Sequence, residues 1–119
     1  MSKGSLFVGW GAIIPGREKK ASEVLGNALQ YLQGIKSKGV IDDFDVVLLE
    51  PHGGELEGFV IVNGEKDSIA KLRVDEEFLR VIIGVQLVHN KVGVVGAYRG
   101  KEMQSIMKIW DEQEDKLIP

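Results

Sequence analysis

The sequence predicts an α+β domain built on one antiparallel sheet of four strands. Three observations predict it. Runs rich in β-branched and aromatic residues occur at 6–14, 44–50, 56–63 and 92–99, and such residues suit a pleated surface better than a helix. The segments between carry apolar residues at helical spacing. The strand runs are apolar on both faces, whereas a sheet covered on one side alternates apolar and polar.

Composition sets the bounds. The chain has 119 residues, a single domain over 1–119 with length enough for a core. Hydrophobic residues make up 44% and charged residues 28%, a globular balance rather than a disordered one. Lys and Arg number 15 against 18 acidic residues, a net charge of −3, so no nucleic-acid partner is expected. The absence of cysteine excludes a disulfide framework, a zinc–thiolate site and a cysteine nucleophile. No apolar run approaches the roughly 20 residues of a membrane helix, and the N-terminus lacks the pattern of a signal peptide. The expectation is a soluble, cytoplasmic protein with no membrane partner.

The elements follow in order. In 6–14, Leu6, Val8, Trp10, Ala12 and Ile14 share one face, and Phe7, Gly9, Gly11 and Ile13 the other. Two glycines on one face predict a groove, filled either by a close-packed neighbour or by a ligand. Gly9-Trp10-Gly11 is not a dinucleotide fingerprint, because no third glycine opens a helix after it. Pro15-Gly16 ends the strand. A helix over 17–35 carries the stripe Ala21, Val24, Leu25, Ala28, Leu29, Leu32 and Ile35.

A polar turn around Gly39 leads into a hairpin, 44–50 and 56–63, broken by Pro51-His52-Gly53-Gly54. Pro51 cannot donate to a ladder and the two glycines allow positive φ. Gly64 ends the hairpin. Asp67 is the expected cap of a short helix over 68–73, and Asp75 the cap of another through Phe78, Leu79, Ile82, Ile83 and Val85. The fourth strand is 92–99, weakened by Gly93 and Gly96. A last helix over 101–115 has the stripe Met103, Ile106, Met107 and Trp110.

The order β-α-β-β-α-β plus a C-terminal helix is the ferredoxin-like plan. Right-handed crossovers place both main helices on one face of the sheet. The other face is then bare yet apolar, which marks a partner surface. Its expected cover is a second copy of the same sheet, in an isologous homodimer. The alternative cover is the last helix, folded under its own sheet.

With its element order and the segments PHGGELEGFVIVNG (51–64) and LRVDEEF (72–78), the chain resembles the dimeric α/β-barrel superfamily, and within it the YCII-related domains. The resemblance covers most of the chain. It implies two facing sheets per dimer and a His–Asp pair in which Asp75 matches the acidic position. The matching histidine belongs on the first helix, where this chain has none.

His52, between Glu50 and Glu55, and Asp75 are therefore the candidate acid–base residues, against readings as a solvated turn residue and a helix cap. The lipase-like reading of Pro-His-Gly-Gly fails, because no serine stands in a G-x-S-x-G elbow. No metal site is expected: His52 and His89 have no recognised ligand spacing, and His89 reads as a helix-terminal residue. Gly9, Trp10, Gly11 and Phe59 are the candidate ligand-binding residues, in a pocket between sheet and helices. The functional expectation is a small homodimeric protein binding a small apolar molecule without cofactor. The alternative is a cofactor-independent enzyme of the monooxygenase or isomerase type using His52 or Asp75.

Overall fold

The structure is a computed structural model and describes residues 2–119. Its elements run β1 (Lys3–Trp10), α1 (Glu18–Ser37), β2 (Asp43–Leu48), β3 (Gly58–Glu65), α2 (Lys66–Leu72), α3 (Glu76–Val88), β4 (Gly93–Ala97) and α4 (Gly100–Leu117). All pairings are antiparallel, in the order β2-β3-β1-β4. This is the ferredoxin-like arrangement that the element order predicts.

One face of the sheet makes the core. Leu6, Val8 and Trp10 of β1 and Val60 and Val62 of β3 meet Leu32 of α1 and Phe78, Ile82 and Val85 of α3. Leu6 and Val62 are completely buried. α1 uses the predicted stripe, and Asp75 caps α3, its carboxylate accepting the Phe78 N–H at 3.2 Å. Ile41, in the segment predicted as a polar turn, is also buried.

Several boundaries differ for local reasons. β1 begins three residues earlier than predicted, because Lys3, Gly4 and Ser5 pair with Glu65, Gly64 and Asn63 of β3. It ends at Trp10, because the Gly11 N–H turns to the Asn90 carbonyl at 2.7 Å. Beyond it, Ile13 makes an isolated bridge to His89. β3 does not stop at Gly64: Glu65 continues it and stands at the N-cap of α2, in place of Asp67, which lies in the first turn.

The other face is graded. Paired residues of neighbouring strands point the same way, so three rows cross it: Asp43–Asn63–Ser5–Ala97, Asp45–Ile61–Phe7–Val95 and Val47–Phe59–Gly9–Gly93. The first row is polar and the third apolar. Phe7 stacks on Phe59 with ring centroids 5.3 Å apart. The predicted groove at Gly9 is filled: a Cβ there would lie 2.6 Å from the Phe7 ring and 3.0 Å from a Leu56 methyl. The glycine exists for close packing.

The last helix does not fold under this face. α4 buries none of its residues, and Met103, Met107, Trp110 and Leu117 along one side are about half exposed or more.

Candidate functional site

The site lies where β1 ends, on the helix-covered side. Three segments converge on Gly11. Its N–H donates to the Asn90 carbonyl, the Asn90 N–H donates to the Ala12 carbonyl at 2.8 Å, and the Trp10 carbonyl accepts the Glu57 N–H at 2.8 Å. A Cβ on Gly11 would stand 2.8 Å from the Asn90 carbonyl oxygen and 3.0 Å from that of Glu55. Only glycine permits this approach.

His89 ends α3 in an extended conformation. Its Nδ1 lies 2.8 Å from the Gly11 carbonyl oxygen. A carbonyl only accepts, so Nδ1 carries the proton and donates, which leaves Nε2 of the neutral ring as an acceptor. The imidazole leans on Trp10, centroids 6.1 Å apart.

Two cavities meet at these residues. An inner one of about 50 Å³ lies between the sheet, α1 and α3 and is apolar but for Tyr31 and His89. An outer cleft of about 380 Å³ is lined by Gly11, Ala12, Ile13, Ser22, Leu48, Leu49 and Glu57. Trp10, Leu25 and His89 line both and form the wall between them. The outer volume falls within the range of small-molecule pockets, roughly 300–1,000 Å³; the inner one is an extension too small to hold such a molecule alone.

The six candidate residues are not brought together. Trp10 and Gly11 line the outer cleft. Gly9 and Phe59 face the opposite side of the sheet, because they pair across β1 and β3 in the register that points away from the helices. His52 is exposed on the 49–57 connection, its Nδ1 2.9 Å from the Glu50 carbonyl oxygen, folded over Gly54. Asp75 is exposed at the start of α3.

The α1 residue that meets Asp75 is Tyr31, whose hydroxyl donates to Oδ2 over a long 3.5 Å. Burial, reinforced by the Asp75 charge, pushes the Tyr31 phenol up to about 12. The folded value lies above the ordinary 10.0, so the stabilisation is complete below about pH 10 and lost as pH rises through about 12. In a Tyr98→Phe background, an ultraviolet titration is expected to place the Tyr31 midpoint near that upper value. Asp75→Asn lowers it without returning it to the ordinary value, since burial is the larger cause. A midpoint at the ordinary value in the parent would contradict the buried position.

Sequence reasoning missed His89 and Tyr31 as cavity residues. Among the described residues no group of three or more His, Asp or Glu side chains is placed to hold a metal ion, and no helix is long and apolar enough to cross a membrane.

No protein-family model matches the chain, and no curated protein matches it. Solved structures do. A dimeric ferredoxin-like protein of unknown function from Jannaschia sp. CCS1 superposes with a TM-score of 0.63 at 11% identity, covering 82% of this chain and 100% of that one. A dimeric ferredoxin-like protein of unknown function from Bacteroides fragilis gives 0.61 at 11% identity, over 80% and 94%. SnoaB, a cofactor-independent oxygenase from Streptomyces nogalater, gives 0.52 at 13% identity, over 83% and 97%. At these identities the likeness is one of fold, and the chain has the ferredoxin-like α+β fold of these dimeric proteins.

Proposed function

We propose that the protein is a homodimer with facing sheets and that each protomer binds one small, mostly apolar molecule in the cleft at the end of β1. The observation that carries the binding role is the pair of adjoining cavities sharing Trp10 and His89 as their common wall. Apolar walls supply affinity through burial, and Nε2 of His89 supplies one acceptor to orient a hydroxyl. Self-association is supported by the uncovered apolar sheet face and by the dimers among the structural neighbours.

The test is titration with 2-naphthol, an apolar ring with one donor, followed by calorimetry. One site per protomer is expected. Ser22→Trp, on the exposed side of α1 and lining only the outer cleft, is expected to fill the cleft and weaken binding at least about tenfold with the fold intact. His89→Phe removes both the Nε2 acceptor and the Nδ1 bond to the Gly11 carbonyl and is expected to weaken it by at least roughly tenfold. Unchanged affinity in Ser22→Trp contradicts the assigned site.

One observation favours a second reading, a cofactor-independent enzyme of the monooxygenase or isomerase type. The bond from His89 Nδ1 to the Gly11 carbonyl fixes Nε2 as the basic nitrogen, an arrangement suited to proton abstraction. In that reading the acid–base role passes from His52 and Asp75, which line neither cavity, to His89. It predicts solvent-deuterium incorporation into a bound carbon acid that His89→Gln abolishes.

A further inference from the structure

We propose that the outer cleft selects aromatic amines: the ring lies against Trp10, the ammonium group pairs with the Glu57 carboxylate, and a ring hydroxyl meets Nε2 of His89. This rests on the binding role proposed above and names the class of ligand.

The backbone fixes where Glu57 stands. Its N–H donates to the Trp10 carbonyl at 2.8 Å and its own carbonyl accepts the Leu49 N–H at 2.9 Å, so it ties the ends of β1 and β2 to the start of β3. Regular alternation would put residues 56 and 58 on one face of the sheet. They lie on opposite faces. A Cβ on Gly58 would stand 2.8 Å from the Trp10 ring, on the helix-covered side, whereas a Leu56 methyl lies beside Gly9 on the open side. The chain therefore turns over at Glu57, and Glu57 lines the cleft instead of extending the open-face row of Phe59.

Charge then decides what the cleft prefers. Glu57 is half-buried, and its carboxylate has no hydrogen-bond or ion-pair partner among the described residues. No Lys or Arg lines the cleft. The positive groups beside it are engaged or turned away. Arg17, one turn before Ala21 on α1, donates to the Leu87 carbonyl at 2.5 Å. Lys91 packs its Cβ beside Gly11 but is exposed and lines neither cavity. The positive end of α1 carries Glu18, whose carboxylate accepts the Gly16 N–H at 3.2 Å. His89, donating from Nδ1 to the Gly11 carbonyl, presents an acceptor at Nε2. A half-buried carboxylate without a cation, beside the apolar wall of Trp10, Leu25 and Leu48, favours an apolar molecule that brings its own positive charge. The ammonium–carboxylate hydrogen bond is charge-assisted and stronger than a neutral one.

The test compares three ligands of like size by calorimetry on the full chain. Tyramine carries an ammonium group, para-ethylphenol is the same ring and chain without it, and para-hydroxyphenylacetate carries a carboxylate instead. Tyramine is expected to bind about tenfold more tightly than para-ethylphenol, and the carboxylate to bind at least about tenfold more weakly than para-ethylphenol. Added salt narrows the first gap. In Glu57→Gln the preference of tyramine over para-ethylphenol is expected to disappear, and in Glu57→Asp to survive in part. Each preference is a ratio within one protein, so damage to the cleft that weakens both ligands does not imitate its loss. Equal affinities in the parent, or a full preference surviving in Glu57→Gln, overturn the inference. A parent that binds neither para-ethylphenol nor 2-naphthol overturns the binding role itself, an outcome distinct from neutral ligands bound with no preference for the amine.

Discussion

Phe59→Asp is expected to break the proposed facing-sheet dimer into monomers while keeping the protomer's fold. Phe59 sits at the apolar end of the open sheet face, half-buried and stacked on Phe7, with Val47 beside it on β2. In a lone protomer a carboxylate at this position reaches water. Under a facing sheet it becomes a buried charge without a partner, a change worth about 3–5 kcal/mol, or over a hundredfold in dissociation constant. Val47→Asp acts on the same row and is expected to do the same. Sedimentation reports the mass and circular dichroism the fold. A dimer of unchanged affinity in both variants contradicts the assignment of this face as the interface.

Gly11→Ala is expected to cost about 2 kcal/mol of stability, within the range for forcing atoms into a filled site, and to abolish binding in the cleft. Its obstacle is backbone on two sides, the Asn90 and Glu55 carbonyls, and neither can swing away as a side chain does. To admit the methyl, the end of β1 must separate from the turn after α3. That breaks the Gly11 N–H bond to Asn90 and the His89 bond to the Gly11 carbonyl together. His89 then loses its fixed orientation between the two cavities. Chemical denaturation measures the first effect and 2-naphthol titration the second. A variant as stable as the parent would mean that the three segments do not meet as tightly as described.

The fold was legible because each element carries its own signal. The stripe from Ala21 to Ile35 has one solution, a helix lying on a sheet, and the runs around Val47 and Val60 carry apolar residues on both faces, which asks for two covers. One cover is α1 with α3. The candidate site was legible only in part. Strand alternation already puts Trp10 with Leu6 and Val8, and Gly9 with Phe7, so a pocket holding both Trp10 and Gly9 crosses the sheet. Gly11 escapes that rule because β1 has ended before it.

His89 could not be found from local pattern. Its partner Gly11 is 78 positions away, and the contact exists only because the turn after α3 returns alongside the end of β1. Tyr31 was hidden differently. It stands one residue before Leu32 on the α1 stripe and reads as ordinary amphipathic packing, while the Asp75 it meets is set by the start of α3. The available signal was a histidine and a tyrosine at the margins of apolar helix faces, which is also what a plain core produces.

Native mass spectrometry of the purified protein at low concentration tests the central claim most directly, because it reads self-association and a retained ligand in one spectrum. The expected result is a species of twice the 13.1 kDa chain mass, with an added small mass in each protomer that Ser22→Trp removes. A species of single chain mass would contradict the covered sheet face and leave the apolar surface around Phe59 without its proposed partner.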